Sequence, residues 1–171
     1  MSYKLSISSI TTFIFDIDGV LTDGEVNIFT NEAVRSLNAK DGYALQYAAK
    51  MGFTIFMISG GDSQAVKTRL MSAGIKEVIL KASNKVKVYE DLKERYNFKD
   101  DEVLYMGDDI PDYNVMKKVG VATCPQDAAI EIKNISDYQS PFMGGKNCVR
   151  DIIEQTLRVQ EKWFTVDAHE W

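Results

Sequence analysis

The chain has 171 residues, 45% of them hydrophobic and 26% charged, with a net charge of −5. That size and apolar content suit one soluble domain with a real core, and an acidic balance without a basic stripe argues against a nucleic-acid binder. No stretch approaches the ~20 apolar residues that cross a bilayer, and the apolar run in "MSYKLSISSITTFIFDIDG" is too short for a signal peptide, so a cytoplasmic protein is expected.

Along the chain, short apolar runs alternate with amphipathic segments. "TTFIFD" (11–16) reads as a buried strand, and "GYALQYAAKMG" (42–52) as a helix with Tyr43, Ala44, Tyr47, Ala48 and Met51 on one face. Between them, 20–41 breaks the rhythm. "VNIFTNEAVRSLN" alternates like a β-hairpin turning near Thr30–Asn31–Glu32, a flap of about residues 20–40 and too small for a cap domain. A strand at Phe53–Ser59, a helix ending at Gly74 and a strand at Lys76–Leu80 follow. "NKVKVYEDLKERY" is then a helix with Val86, Tyr89, Leu92 and Tyr96 inward, "EVLYMG" a fourth strand, and "DYNVMKKVG" a helix stopping at Gly120. Val121–Thr123 is a fifth short strand, "DAAIEIKNI" a short helix and "SDYQS" a last strand. A helix over about 147–164 closes the chain, with Val149, Ile152, Ile153 and Leu157 inward.

Apolar strands alternating with helices predict a Rossmann-like three-layer α/β/α fold, one domain over 1–171, with a mostly parallel sheet and no large cap. In such sheets ligands sit at the carboxyl ends of the strands. There the sequence places Asp16 and Asp18 after the first strand, Ser59-Gly60-Gly61 after the second, Lys85 after the third, and Asp108, Asp109 and Asp112 after the fourth. Adjacent carboxylates repel unless they share a cation, and oxygen ligands of this kind suit Mg²⁺. One aspartate of a DxD pair can attack phosphorus while the other moves protons. The Ser59 hydroxyl and Gly60 amide at a helix N-terminus, with the Lys85 ammonium, can bind phosphoryl oxygens.

Each signal is ordinary alone. A lone DxD or GDD arises by chance among 25 acidic residues, Ser59 could be a helix N-cap, and most lysines are solvated. Their occurrence together, each at a strand end, carries the reading. Asp109 and Asp112 either ligate through water or support the loop. Asp23-Gly24 is a turn signal and Asp41 a candidate N-cap. Cys124 and Cys148 fit no zinc spacing and read as reduced core thiols. The single histidine, His169, lies in what reads as a disordered tail, so histidine-based catalysis is not expected, and Trp163 and Trp171 read as packing or tail residues.

"DIDGVLTDG", "ISG", "SNK" and "MGDDIPD", in this order, resemble the haloacid dehalogenase superfamily of phosphatases. With the hairpin, "LNAKDGYAL" and "MGGKNCVRDII", the chain is similar, from about Phe13 to Leu157, to the capless 3-deoxy-D-manno-octulosonate 8-phosphate phosphatases. The resemblance implies hydrolysis of that sugar-acid phosphate in the lipopolysaccharide precursor pathway, through an aspartyl-phosphate. It implies Asp16 as nucleophile and Asp18 as general acid/base. Mg²⁺ would be held by the Asp16 carboxylate, the Asp18 carbonyl and the Asp108 carboxylate, and the phosphoryl group by Ser59, Gly60 and Lys85. It also implies a homotetramer whose flap and neighbouring subunit close each site, with the Gly144-Gly145-Lys146 turn near a neighbour's site.

The chain departs from the subgroup at two motifs. Ser59-Gly60-Gly61 stands where Thr-Gly-Arg is common, and Gly144-Gly145-Lys146-Asn147 where Gly-Gly-Arg-Gly is common. Arg69 is either a ligand of the sugar acid's carboxylate or an exposed helix arginine, and Lys146 keeps charge but loses the bidentate fork. A nine-carbon sialic-type acid 9-phosphate is therefore an alternative substrate. A phospho-acceptor signalling domain is a rival of another class, although the order of its acidic and hydroxyl residues differs. A non-catalytic assembly protein is a third reading, opposed by the complete set of chemical residues.

Overall fold

A computed structural model describes residues 3–29 and 32–169. The chain opens with the short helix α1 (Tyr3–Ser6) and a 3-10 turn, then β1 (Thr12–Phe15). The flap strands β2 (Asn27–Phe29) and β3 (Glu32–Val34) precede α2 (Ala39–Lys50), β4 (Thr54–Ile58), α3 (Gln64–Ser72) and β5 (Glu77–Ile79). α4 (Lys85–Tyr96), β6 (Val103–Met106), α5 (Tyr113–Met116) and β7 (Val121–Cys124) follow. The series ends with α6 (Ile130–Ile135), β8 (Tyr138–Gln139) and α7 (Cys148–Val159).

Six strands form one sheet in the order β5-β4-β1-β6-β7-β8, every neighbouring pair parallel. The chain runs outward from β1 through β4 to β5, then returns to β6 on the other side. β1 is therefore the switch point, where a parallel sheet opens a crevice at its carboxyl rim.

The period of two along each strand decides which helices cover which face. Phe13 and Phe15 of β1, Ile55 and Met57 of β4, and Leu104 and Met106 of β6 pack with Leu45, Val66, Leu70, Ile152 and Ile153 of α2, α3 and α7. Ile14, Phe56, Ile58, Val103 and Tyr105 point the other way, onto Tyr89, Leu92, Val115, Met116 and Ile132 of α4, α5 and α6. Both faces are thus covered, as the unbroken apolar strands foretold.

Several boundaries differ from the sequence reading. α2 begins three residues earlier than Gly42, because Asn38 accepts hydrogen bonds from the amides of Lys40 (2.8 Å) and Asp41 (3.4 Å) and is the N-cap. Asp41 instead is buried and caps another helix, accepting from the amides of Asn147 (3.2 Å) and Arg150 (2.8 Å) at the start of α7. α7 stops at Val159, not near 164, because Glu161 (φ 56°) and Phe164 (φ 60°) turn the backbone left-handed. Trp163 then packs edge-on against Tyr47 at 5.3 Å. The segment that read as a disordered tail forms the 3-10 turn Val166–His169, where the Ala168 carbonyl accepts from the Tyr43 hydroxyl.

β2 and β3 pair antiparallel, with Asn27 opposite Val34 and Phe29 opposite Glu32. The expected turn residues Thr30 and Asn31, like Trp171, lie outside the described residues. Asp23 accepts from the Glu25 amide at 3.1 Å, and Gly24 has φ +79°, so "DG" is the turn it promised to be. Cys124 and Cys148 are buried and free. No helix among the described residues is long and apolar enough to cross a membrane.

Candidate active site

The carboxyl rim of the sheet opens into a cleft of about 430 Å³ lined by Asp16, Asp18, Ser59, Gly60, Lys85, Asp108, Asp109 and Asp112, among others. The expected strand-end residues therefore converge. Asp16 follows β1 and is 7% exposed; its Oδ1 accepts from the Ile17 amide at 2.7 Å. Lys85, the first residue of α4 and 5% exposed, lies 2.9 Å from Asp16 Oδ2 and 2.7 Å from Asp112 Oδ1. Asp112 is fully buried: Tyr105 donates its hydroxyl to Oδ1 at 2.6 Å, and the Asp108 amide donates to Oδ2 at 3.3 Å. These contacts tie Asp112 to Lys85 and to the loop that carries Asp108. Asp109 is exposed on the cleft wall.

Carboxylate oxygens of Asp16, Asp108 and Asp112 lie within 4.8 Å of one another, with one lysine among them. That excess of negative charge has consequences. Burial first, then the charge of Asp112, push Asp16 up to about 7 against the opposing pull of Lys85. Burial, then Asp16 and Asp112, push Asp108 up to about 8. Asp108 Oδ1 is buried with no hydrogen-bond partner among the described residues. A polar atom left so would cost free energy unless something outside the chain meets it. Asp18 stands apart from this cluster. Its carboxylate is forked by Arg35, Nε to Oδ1 at 2.5 Å and Nη2 to Oδ2 at 3.1 Å.

Ser59 is 1% exposed and its hydroxyl accepts from the Gly61 amide at 3.1 Å. It is no helix cap. α3 begins five residues later and is capped by Ser63, so the phosphate-binding amides expected at a helix N-terminus belong to a loop instead. Glycine is required where loops meet. Gly19 has φ +87°, and a Cβ there would come within 2.0 Å of Asp108 Oδ2.

Two expected ligands are not in the cleft. Arg69 sits on the exposed face of α3, beside a smaller 130 Å³ cavity shared with Leu37 and Asn38. Lys146 is exposed, 4.0 Å from Asp23. The Gly144-Gly145 turn seals against its own chain: a Cβ at Gly144 would meet the Gly19 carbonyl oxygen at 2.0 Å, and the Gly145 amide donates to Val20 at 2.9 Å. Arg35 escaped the sequence reading altogether. An arginine in an exposed hairpin looks solvated, and its only signal was a lone basic residue at the hairpin's exit toward an acidic rim.

Paired carboxylates, a buried ammonium and a hydroxyl around one crevice, on a doubly wound parallel sheet, define a hydrolase of phosphate esters. The sequence pattern of the haloacid dehalogenase-like hydrolases matches residues 62–144. The 3-deoxy-D-manno-octulosonate 8-phosphate phosphatase of Escherichia coli K12 is 32% identical over 155 residues, 90% of this chain and 82% of that protein. The Moraxella catarrhalis enzyme of that name, solved with magnesium, phosphate and a KDO molecule, superposes with a TM-score of 0.90 at 25% identity, covering 94% of this chain and 92% of that one. The cobalt-bound enzyme of Haemophilus influenzae does so with a TM-score of 0.90 at 28% identity, over 96% and 98% of the two chains. This chain belongs to the haloacid dehalogenase superfamily, in its 3-deoxy-D-manno-octulosonate 8-phosphate phosphatase family.

Proposed function

We propose that this protein hydrolyses 3-deoxy-D-manno-octulosonate 8-phosphate to the free sugar acid and phosphate, a step of lipopolysaccharide precursor synthesis, in a Mg²⁺-dependent reaction. The observation that carries the reading is the cluster of Asp16, Asp108 and Asp112 oxygens within 4.8 Å, beside Lys85, with Asp108 Oδ1 left unpartnered. A hard divalent cation fits those donors: oxygen only, net anionic, with one buried oxygen unpartnered. The Asp16 and Asp108 carboxylates and the Asp18 main-chain carbonyl would hold it. Asp112 completes the anionic group and is tied by Lys85, Tyr105 and the Asp108 amide to the loop that carries Asp108. When bound, Mg²⁺ neutralises charge on the cluster and on the phosphate.

The chain's own residues divide the remaining work. Asp16 is the nucleophile: one of its oxygens bonds to phosphorus as the bond from phosphorus to the sugar's O8 breaks, giving an aspartyl-phosphate. Asp18 gives its proton to the departing O8, then takes one from the water that attacks phosphorus and frees Asp16. Lys85, the Ser59 hydroxyl and the Gly60 amide hold the equatorial oxygens where charge develops. The chain is a single domain acting in the cytoplasm as a homotetramer. The apolar flap supports assembly, with Ile28 84% and Phe29 63% exposed. Contacts of Arg69 and Lys146 with a sugar acid would then be made across subunits, because neither lines its own cleft.

The test is kcat/KM for the eight-carbon sugar-acid 8-phosphate against a nine-carbon sialic-type 9-phosphate, with Mg²⁺ and with EDTA. Preference for the eight-carbon ester, loss in EDTA and an inert Asp16→Ala variant are expected. Equal, low rates on both and on generic esters would overturn the substrate. Activity surviving in Asp16→Ala would overturn the nucleophile, and a stable phosphoprotein without turnover would favour the signalling alternative.

A further inference from the structure

We propose that Arg35, at the exit of the flap, is the positioning residue of the acid–base step, holding the Asp18 carboxylate in a socket that only glycine at position 61 leaves open. The inference rests on the assignment of Asp18 as acid/base.

Three observations converge. First, the contact is a fork, two nitrogens of one guanidinium on two oxygens of one carboxylate, at 2.5 and 3.1 Å. Such pairs fix orientation as well as distance. Second, the arginine is out of place for a solvated residue. Its side chain is 7% exposed, while its neighbours Ala33, Val34 and Ser36 are exposed. The side chain lines a small gap together with Ile17, Val66 and Leu80. Third, Gly61 borders the same gap. A Cβ there would come within 2.7 Å of Asp18 Oδ2 and 3.0 Å of Arg35 Nη2. Gly61 has no positive φ, so its backbone could carry a side chain, and a Cβ there would displace the two side-chain ends that make the fork.

The division of cations explains why a second one is needed. Lys85 is bonded to Asp16 and Asp112, and so is unavailable to Asp18. An aspartate that delivers a proton to one oxygen and later collects one from water at the same phosphorus must keep its carboxylate aimed through both halves of the reaction. Arg35 supplies that aim from outside the metal cluster. Because it directly follows β3, the aim of Asp18 depends on where the flap lies.

The test is stopped-flow and steady-state kinetics of the full chain with Mg²⁺, on p-nitrophenyl phosphate and on an alkyl phosphate. Nitrophenolate departs without a proton, whereas an alkoxide needs one, and the aspartyl-phosphate needs a base with either ester. Arg35→Met is expected to lower kcat on the alkyl ester by about tenfold or more, a part of what general acid–base catalysis supplies, with little change in KM. On p-nitrophenyl phosphate it should show a burst of about one nitrophenolate per site, then slow turnover, as expected when only the second half-reaction is impaired. Gly61→Ala should reproduce the burst, and Arg35→Lys should partly restore kcat. Wild-type kcat in Arg35→Met, or an equal loss on both esters with no burst, would overturn the proposal. Asp18→Asn separates the two levels. A burst there but none in Arg35→Met sinks only the positioning role, whereas full activity in Asp18→Asn sinks the acid/base reading beneath it.

Discussion

Asp41 offers the most direct trial of the architecture behind the site. It lies in the first turn of α2, yet its carboxylate receives the Asn147 amide at 3.2 Å and the Arg150 amide at 2.8 Å, the free donors at the start of α7. α7 has no cap of its own: Asn147, at φ 80°, makes no side-chain cap bond. Asp41→Ala would strip both acceptors. Losing an N-cap costs about 0.5–2 kcal/mol, and a second donor left unmatched about 1–3 kcal/mol if water cannot reach it. Both donors are half-buried, so an intermediate total of about 2–3 kcal/mol is expected. In a chain of this size that lowers Tm by about 5–10 °C. Calorimetry would give the loss, and amide hydrogen exchange its location, with Arg150 losing protection while the first turn of α2 keeps its own. Asp41→Asn keeps one acceptor and should cost about half as much. A Tm drop below about 1 °C, or protection lost at Lys40 rather than Arg150, would refute the trans-cap.

The remaining predictions concern the metal and the backing of its loop. Asp16 and Asp108 hold protons up to about 7 and 8, far above the ordinary carboxylate value of 3.8. These raised values favour the metal-free fold at low pH, and that contribution is lost as pH rises through 7 to 8, where Mg²⁺ replaces the protons. Calorimetric titrations from pH 5.5 to 9 should therefore show apparent Mg²⁺ affinity falling by up to about a hundredfold per pH unit below 7, two protons being displaced. A flat profile would contradict this. Gly144→Ala would drive a methyl to 2.0 Å of Gly19 O and 2.9 Å of Thr22 O, both backbone atoms unable to step aside. A loss of about 1–3 kcal/mol in chemical denaturation is expected, with reduced Mg²⁺ affinity, and wild-type values for both would show that the turn yields freely.

What could be read from the chain was whatever rests on periodicity and strand ends. Phe13, Ile14 and Phe15 are all apolar, which only a strand covered on both faces requires, and the two faces they serve are indeed different cores. Asp16, Ser59, Lys85 and Asp108 were legible because a parallel sheet brings its strand ends together wherever the strands sit. What escaped depends on side chains crossing between elements. Asp41 has the right chemistry for capping, and nothing local distinguishes its own helix from the one packed beside it. Arg35 looks like solvent-facing charge until the flap folds over Asp18. Arg69 has a suitable residue type, but that says nothing of which wall of α3 it stands on, and it does not line the cleft of its own chain. The end of α7 was overestimated because Trp163 and Phe164 continue an apolar sequence while the backbone has already turned.

The meeting of Gly144 with Gly19 also bears on how the protein comes into being. A ribosome makes Asp16 and Asp18 early and the glycine turn late, yet the loop between Gly19 and Asp23 leans on that turn, and the Val20 carbonyl awaits the Gly145 amide. Until residues 144 and 145 are available, Asp16 stands without that backing. Groups made early are thus among the last to reach their final arrangement, and a nascent chain ending before residue 144 would hold Asp16, Asp18, Ser59, Lys85 and Asp108 and still lack the turn behind the first loop.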